Sequence, residues 1–567
     1  MDGIRPPFNR LAKKTMNTKD LHPSKANSFK AVDRSRTCGE ATIRLLSKYG
    51  VETVFGIPGV HTLDFCRGLS DGTIRHVQAR NEQGAGFMAD GYARISGRPG
   101  VALVISGPGV TNALTAVGQS WADSIPMLLI SSETDSRIHG KGWGALHEIT
   151  DQRAVTAPMT SLSLRAYRPE DVPEMMARAF TSIKTSRPRP VHLSIPIDVL
   201  AMPVEEEWTS ANLPEIPLPR QEQIQEAAEI LRKAKNPIIM TGGGAIKAAD
   251  SLRKLVDQLN ASVISSTAGK GIVPDDHPLS LNASIIRPEV QEYLSGADVI
   301  LAVGTELAET DSFVDFLKLS GKLIRIDLDP SKINDQYPAD LGIISDAKDA
   351  VEMILKEGNF RNSRGRASLE EELEKLRKEI EANLTDSEIK HKQLLNQLEQ
   401  SLPENTFYAG DICQLVYTGA FGIRMKHPRS WSYPAGYCTL GCGLPNAIGA
   451  KFAEPERPVV CLAGDGGFMF TVQELMVASE LEMGLPIILW ENGGLKQIQD
   501  DMRSRSIPLV GVEGVNPDFI KLAESMNCDG IEAKSVEHAS DLVREGWNKT
   551  RPTLIMVREN ADYWNLN

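Results

Sequence analysis

The sequence predicts an α/β protein with three doubly wound parallel-sheet domains. Three observations lead to this prediction. The chain has 567 residues, which is too long for one hydrophobic core. Short apolar runs that end in Gly or Pro, such as VETVFGIPG, alternate with helix-like stretches from residue 37 onward. These runs are continuously apolar, as is typical of strands buried on both faces of a parallel sheet.

The chain divides into three α/β blocks with connecting segments between them. The first block covers residues 37–205 and precedes a Pro-rich linker, LPEIPLPRQ. The second covers residues 215–358 and carries the apolar runs NPIIMTGGG, ADVILAVGT and GKLIRIDLDP. A charged stretch over residues 359–400 has acids and bases at three- and four-residue spacing, which predicts a helical linker. The third block covers residues 401–567, and the likeness between the blocks indicates duplication of a whole domain.

Composition and charge exclude several classes of function. The net charge of −12 argues against general affinity for nucleic acid or an anionic membrane. No apolar run approaches the ~18 residues that a membrane span needs. Seven scattered cysteines predict reduced thiols and a cytoplasmic location. Residues 1–36 hold nine Lys or Arg and three Asp, a surplus of six positive charges, which predicts a flexible basic tail.

Two polar residues of the third block follow neighbouring predicted strands. Asp465 lies in AGDGGF and Asn492 in WENGGL, 27 residues apart (492 minus 465). A strand, a helix and a parallel strand fill that interval, so both side chains are expected at one edge of the sheet. With the carbonyl of Gly494, they would offer oxygen ligands to Mg²⁺ and leave room for a diphosphate. The alternative interpretation of GDGG alone is a tight turn.

Glycines and a helix are expected to complete this diphosphate site. Gly464, Gly466 and Gly467 carry no side chain where the diphosphate would approach the backbone. A helix that starts near Thr471 would offer its amide end to the anion. GDGG followed by ENGG at this interval resembles the signature of thiamine-diphosphate enzymes, in which an Asn-Asn pair follows the Gly-Asp-Gly. Glu491 replaces the first Asn of that pair, whereas the metal-binding second Asn is present.

A second element lies in the first block, at Glu82 in ARNEQGAGFMADGYAR. By itself, Glu82 could simply be a capping acid on the first turn of a helix. The run resembles the pyrimidine-binding domain of acetolactate synthases and related 2-oxo acid decarboxylases, with Asn81 in place of the usual His. The resemblance implies pyrimidine-binding, central and diphosphate-binding domains. It also implies that Glu82 activates thiamine diphosphate held by the opposite subunit, in a homodimer or homotetramer.

The family resemblance extends over nearly everything from Cys38 onward and adds further candidate residues. It implies contacts with the cofactor for Leu440, Gln414, Asn112 and Pro58. Gly242 to Gly244, Asp327 and Asp329 are similar to the central domain that holds FAD in acetolactate synthases. Many relatives keep that domain without flavin, so we expect thiamine diphosphate and Mg²⁺ and consider flavin the less expected cofactor.

The resemblance also bears on the substrate. GIPGVHTLDFCRGL, LHEITDQR and QIQDDM are most similar to 5-guanidino-2-oxopentanoate (2-ketoarginine) decarboxylases. The candidate substrate residues are Glu133, Gln119 and Asp500, with further acids at Glu148 and Asp501. A buried carboxylate would suit a guanidinium through a bidentate pair, although each acid could equally be a surface residue.

Three hypotheses for the activity follow. The first is decarboxylation of a 2-oxo acid through a C2 ylid and an enamine of the cofactor. The second is an acetolactate-synthase-like carboligase, which would join the same intermediate to a second 2-oxo acid. The third is a non-catalytic binding protein with this fold. The departures from the family motifs at Asn81 and Glu491 are the observations that favour it.

Overall fold

The structure is a computed structural model that describes residues 35–360 and 365–564. The basic tail predicted for residues 1–36 therefore lies outside the described residues, apart from its last two. The three predicted α/β domains are confirmed, because the described chain forms three separate parallel sheets. In the described ranges, no helix is both long and apolar enough to span a membrane.

The first domain contains a six-stranded parallel sheet of order β3-β2-β4-β5-β7-β6 and a small antiparallel pair, β1 with β8. Its strands are β1 (Arg36–Thr37), β2 (Thr53–Gly56), β3 (Arg75–Gln78), β4 (Gly100–Val104), β5 (Met127–Glu133), β6 (Leu162–Arg165), β7 (Val191–Pro196) and β8 (Pro203–Val204). Its helices are α1 (Cys38–Lys48), α2 (Leu63–Leu69), α3 (Glu82–Ser96), α4 (Pro108–Ala122), α5 (Gln152–Thr156), α6 (Asp171–Thr185) and α7 (Ile197–Leu200).

The central domain has a five-stranded parallel sheet of order β10-β9-β11-β12-β13. Its strands are β9 (Pro237–Thr241), β10 (Ser262–Ser265), β11 (Val299–Val303), β12 (Lys322–Asp327) and β13 (Leu341–Ile344). Its helices are α8 (Gln221–Lys233), α9 (Ala249–Leu259), α10 (Pro288–Ser295), α11 (Glu309–Ser312) and α12 (Ala347–Glu357).

The charged linker forms two helices, α13 (Arg366–Ala382) and α14 (Asp386–Ser401). Neither helix is solvated on all sides. Leu369, Leu373, Leu376 and Ile380 of α13 recur at three- and four-residue spacing and join the central core. The corresponding stripe of α14 joins the core of the third domain. Each linker helix is therefore held by an apolar face.

The third domain has a six-stranded parallel sheet of order β15-β14-β16-β17-β19-β18. Its strands are β14 (Phe407–Gly410), β15 (Trp431–Ser432), β16 (Val459–Gly464), β17 (Pro486–Glu491), β18 (Asp529–Glu532) and β19 (Thr553–Arg558). Its helices are α15 (Gln414–Gly422), α16 (Gly443–Ala453), α17 (Asp465–Phe468), α18 (Leu475–Glu480), α19 (Lys496–Ser504), α20 (Phe519–Ser525) and α21 (Val536–Gly546).

The first and third sheets correspond strand for strand in order, which supports duplication of a domain. In each sheet the direction in which successive strands are added reverses beside the first strand. This point lies between β2 and β4 in the first sheet and between β14 and β16 in the third. Open α/β sheets bind ligands outside the carboxyl ends of the strands at such a switch point. The fold therefore provides one ligand crevice in each of these domains.

The two domains pack through equivalent helices, α3 and α16. A Cβ added to Gly91 would lie 2.1 Å from the carbonyl oxygen of Asn446, and one added to Gly449 would lie 1.9 Å from that of Met88. Glycine is required at both positions because the two backbones touch. Apolar residues of both domains consequently form one continuous core.

Candidate active site

The crevice of the third domain is built at the carboxyl ends of β14, β16 and β17. Asp465 is buried immediately after β16, and Asn492 follows β17. Oδ2 of Asp465 accepts the backbone N–H of Gly493 at 2.8 Å and that of Asn492 at 3.3 Å. The two candidate metal ligands are thus brought together at one sheet edge, as their spacing in the chain predicts.

Glycines allow close packing of the segment around Asp465. A Cβ on Gly467 would lie 2.8 Å from Oδ1 of Asp411, and one on Gly466 would lie 3.0 Å from Cδ2 of Leu495. Gly464 ends β16 and is buried. Any larger residue would have to displace these neighbours, so glycine lets the backbone pack closely here. We call Gly464, Gly466 and Gly467 the glycine cradle.

The helical structure after β16 begins earlier than the sequence indicates. DGGF itself forms the short helix α17 (Asp465–Phe468), and a separate 3₁₀ turn, Val472–Glu474, follows after Thr471. The hydroxyl of Thr471 is buried and donates to the carbonyl of Gly441 at 2.6 Å. The amide end of a helix beside Asp465 therefore belongs to α17, whereas Thr471 holds the Gly441 loop in place.

Sequence reasoning missed Asp411, which organises the loop that carries Leu440. The buried Asp411 carboxylate accepts the N–H groups of Gly441 and Gly443, both at 3.0 Å. Burial raises the pKa of this carboxyl, while the backbone donors oppose the shift. Cδ2 of Leu440 would lie 3.3 Å from a Cβ on Gly467, so the leucine borders the glycine cradle.

Gln414 lies at the start of α15 beside the acids of α19. Its Nε2 donates to Oδ2 of Asp500 and to Oε1 of Gln497, each at 3.2 Å. Its Oε1 is buried, and no described residue hydrogen-bonds to it. Asp500 also accepts from Lys496 at 2.9 Å and from Arg503 at 3.0 Å. Gln414 thus keeps a buried acceptor that no described residue satisfies.

Glu82 is the first residue of α3 and is 92 % buried, since 8 % of it is exposed. Nδ2 of Asn112 donates to Oε2 of Glu82 at 3.0 Å. The side chain of Asn81 caps the helix by accepting the N–H of Gln83 at 2.9 Å. Asn81, which departs from the family pattern, therefore caps the helix that presents Glu82. Pro58, another candidate residue, lies exposed after the adjacent β2.

Glu474 of the third domain fixes the segment just before Glu82. Its carboxylate accepts the backbone N–H groups of Arg80 and Asn81, each at 3.1 Å. Burial raises the pKa of the Glu474 carboxyl to about 7, against the opposing effect of these donors. Nothing in the sequence pairs residues 394 positions apart, so this contact was not foreseen.

Two candidate substrate residues already form hydrogen bonds within the chain. Glu133 is buried, and Oε2 of its carboxylate accepts from Nε of Arg165 and from Oγ of Ser194, both at 2.7 Å. Gln119 is also buried; its Nε2 donates to Asp123 at 2.8 Å and its Oε1 accepts the N–H of Thr439 at 3.3 Å. Glu133 thus already binds a guanidinium of its own chain, and Gln119 joins the first domain to the Leu440 loop.

Comparison with known protein families agrees with this geometry. The thiamine pyrophosphate enzyme N-terminal TPP binding domain matches residues 36–155, the central domain of these enzymes matches residues 224–354, and the C-terminal TPP binding domain matches residues 411–557. The chain belongs to the thiamine pyrophosphate enzyme family. The expectation of an enzyme of this family is therefore confirmed.

Curated relatives cover nearly the whole of this thiamine pyrophosphate enzyme. A probable 2-ketoarginine decarboxylase of Pseudomonas aeruginosa is 47% identical over 93% of this chain and 94% of its own. A probable acetolactate synthase large subunit of Methanocaldococcus jannaschii is 30% identical over 91% of each chain. The large subunit of acetolactate synthase isozyme 1 of Escherichia coli is 29% identical over 95% of this chain and 96% of its own.

The residues of the third-domain crevice fit magnesium and a diphosphate. The Asp465 carboxylate, the Asn492 carboxamide and the Gly494 carbonyl are the hard oxygen ligands that Mg²⁺ prefers. The Gly494 oxygen would lie 3.9 Å from a Cβ on Gly466, so it faces the cradle. Among the described residues, no group of three or more His, Cys, Asp or Glu is arranged to hold a metal; the site proposed here uses a single carboxylate.

Proposed function

We propose that this enzyme uses thiamine diphosphate and Mg²⁺ to decarboxylate a 2-oxo acid with a guanidinium side chain, the class to which 2-ketoarginine belongs. The observation that carries the chemistry is the pair of crevices, one with Asp465 and Asn492 and the other with the buried Glu82. The substrate class is supported by the 47% identity to a probable 2-ketoarginine decarboxylase.

Each residue has a definite part in this proposal. Asp465, Asn492 and the Gly494 carbonyl would hold the metal, and the glycine cradle would accept the diphosphate. Leu440 would contact the cofactor, and Gln414 would offer its free Oε1. Glu82 would hydrogen-bond the pyrimidine ring and so assist proton transfer there. When bound, thiamine diphosphate supplies the electron sink for the electron pair released as carbon dioxide leaves.

The acids of α19 are more accessible to a substrate guanidinium than the buried Glu133, although Asp500 also pairs with Lys496 and Arg503. Asp500 is half-exposed beside Gln414. The Asp501 carboxylate accepts from Gln497 at 3.3 Å, and no other described residue hydrogen-bonds to that carboxylate. Partial burial opposes ionisation of Asp500, but hydrogen bonds from Lys496, Gln414 and Arg503 lower its pKa. An ionised Asp500 can pair with a guanidinium through charge-assisted hydrogen bonds.

The active site is proposed to lie between two subunits of a homodimer or homotetramer. Large apolar residues are exposed on segments that follow the strands of the first and third sheets, and exposed apolar surface of this kind is typical of an interface. They are Val60, Leu63, Leu146, Met469, Phe470 and Ile498. A second subunit would cover these residues and bring its Glu82 towards the Asp465 crevice.

The central domain supports a scheme without flavin. A Cβ on Gly242 would lie 2.2 Å from the carbonyl oxygen of Gly304, so the glycine loop packs on backbone of its own domain. Arg187 of the first domain pairs with Glu306 and lies 3.8 Å from Asp329. Asp329, one of the two acids that would face a nucleotide, thus already has a cationic partner. We also retain a cytoplasmic location, which the seven free cysteines support.

The experiment compares 2-oxo acids on the purified holoenzyme. We expect kcat/KM for 2-ketoarginine to exceed that for pyruvate by roughly tenfold or more, because one charge-assisted pair contributes about 1.5–3 kcal/mol. Asp500→Asn should reduce this ratio, whereas Asp541→Asn, on the distant α21, should leave it unchanged. A preference for pyruvate with a ligated product would replace the proposal with the carboligase.

A further inference from the structure

The loop that carries Leu440 is fastened to the first domain of the same chain. It joins β15 to α16. The N–H of Gly436 in this loop donates to Oδ1 of Asp123 at 2.8 Å, and the N–H of Thr439 donates to Oε1 of Gln119 at 3.3 Å. Gln119 is in the last turn of α4, and Asp123 directly follows that helix. Two backbone groups of the Leu440 loop are therefore held by side chains from the end of α4.

The Asp123 carboxylate divides its two oxygens between two domains. Oδ1 serves the Leu440 loop, whereas Oδ2 accepts from Nη2 of Arg94 at 2.7 Å and from Nε2 of Gln119 at 2.8 Å. Arg94 lies in the last turn of α3, the helix that begins with Glu82. Hydrogen bonds between charged groups are about twice as strong as neutral ones. The carboxylate thus ties the loop of the third domain to both α3 and α4.

This contact is shielded from water. The side chains of Arg94 and Asp123 are only 9% and 12% exposed, and Gln119 and Asp90 are fully buried. Asp90 forms an ion pair with Arg94 and accepts from Oγ of Ser120 at 2.6 Å. Burial raises the pKa of the Asp123 carboxyl, and the charge of Arg94 opposes that shift. Because water is largely excluded, these groups depend on one another for their hydrogen bonds.

Glycines let the loop approach α4 closely. A Cβ on Gly436 would lie 2.6 Å from Oδ1 of Asp123, and one on Gly118 would lie 2.9 Å from Cε1 of Tyr437. A side chain at either place would push the loop away from the helix. The buried Asp411 holds the far end of the same loop through a backbone N–H. The loop is therefore fixed at two places, once by each domain.

We propose that Asp123, together with Gln119, is a positioning residue that sets where Leu440 meets the cofactor. This inference rests on the proposed function, in which Leu440 contacts thiamine diphosphate. Asp123 and Gln119 act through the loop and not on the reacting atoms. Since Arg94 belongs to the helix that begins with Glu82, the same contact keeps the loop aligned with that helix. Loss of the Asp123 charge should therefore weaken cofactor binding only while Leu440 is present.

A double-mutant cycle tests this dependence. The Kd for thiamine diphosphate is measured with Mg²⁺ by titration calorimetry for Asp123→Asn, for Leu440→Ala and for the variant with both changes. Asparagine keeps the shape of the side chain but loses the charge that binds Arg94. We expect each single change to raise the Kd roughly tenfold, which is within what one charge-assisted hydrogen bond or one buried leucine contributes. The double variant should bind no more weakly than Leu440→Ala alone.

Asp335→Asn is the matched control. Asp335 also accepts from a buried arginine, Arg325 at 2.6 Å, and from a backbone N–H, that of Tyr337 at 3.2 Å, but it lies in the central domain. Its replacement should destabilise the fold in a similar way and leave the Kd for thiamine diphosphate unchanged. Gln119→Met, which keeps the size of the side chain without its hydrogen bonds, takes the place of Asp123→Asn in the cycle if that variant does not fold.

A second measurement needs neither cofactor nor turnover. Amide hydrogen exchange of the cofactor-free protein is followed by mass spectrometry in the peptide that contains Gly436 and Thr439. We expect exchange there to be roughly tenfold faster in Asp123→Asn and in Gln119→Met, because local opening of the loop becomes easier. Additive effects of Asp123→Asn and Leu440→Ala on the Kd, or unchanged exchange in both variants, would overturn the inference. Unaltered protein that does not bind thiamine diphosphate with Mg²⁺ would instead refute the proposed function.

Discussion

The side chain of Asp465 is surrounded by donors. Its Oδ2 accepts from the N–H of Gly493 at 2.8 Å and from Nδ2 of Asn516 at 2.7 Å, and its Oδ1 accepts the N–H of Gly466 at 2.8 Å. These donors hold both carboxylate oxygens of Asp465 in fixed positions. Asn516 also reaches Glu491, which pairs with Arg558 at 2.9 Å. Glu491 therefore belongs to the network that supports Asp465.

Replacing Asp465 with Ala should abolish magnesium-dependent binding of thiamine diphosphate. The expected loss of affinity is at least about a hundredfold, because supporting partners of a metal ligand alone contribute 10–100-fold. Titration calorimetry with and without Mg²⁺ measures it. Asp518→Ala, at an exposed helix cap, serves as the control. Unchanged affinity in the Asp465 variant would place the metal elsewhere.

Some residues of the site could be predicted from the sequence and others could not. The meeting of Asp465 with Asn492 follows from one strand-helix-strand unit, whose geometry a 27-residue spacing constrains. The pairing of Glu133 with Arg165 depends on how β5, β7 and β6 are ordered, which periodicity does not reveal. Asp411 and Glu474 act on backbone N–H groups of other segments, and such contacts leave no pattern in the chain.

At the scale of elements, the crossing of α3 and α16 positions both crevices. The small residues of α3 indicated close packing, but the sequence did not identify α16 as the partner. Glu82 begins α3, and α16 directly follows the loop that carries Leu440. A change in the spacing of these helices would therefore move Glu82 and Leu440 together.

Gly91→Ala tests the crossing. The added methyl group would meet the carbonyl oxygen of Asn446 at 2.1 Å, so the helices must separate. Overpacking of this kind costs about 1–3 kcal/mol, which should appear as a lower free energy of unfolding in urea and as reduced turnover. Gly514→Ala is the control, since nothing lies within 4 Å of its added Cβ. Equal stability of both variants would show that the contact is not tight.

At the scale of the whole molecule, the same crevice architecture occurs twice in one chain. The first domain presents Glu82 at its switch point, and the third presents Asp465 and Asn492 at the corresponding place. The hydrogen bonds that the described residues make to the Glu82 carboxylate come from the first domain. A two-fold symmetric dimer would let each acid act on the metal site of the other subunit, which is the central claim.

Subunit complementation tests this claim most directly. Glu82→Gln and Asp465→Ala should each be inactive, and dissociating and reassociating them together should restore activity. In a symmetric hybrid dimer, one of the two sites holds both native residues. Random mixing makes about half of the dimers hybrids, so we expect about a quarter of the unaltered activity. Each variant carried through the same procedure alone should stay inactive. No recovery from mixtures shown to contain hybrids would contradict the account, because it would place Glu82 and Asp465 of one chain in the same site.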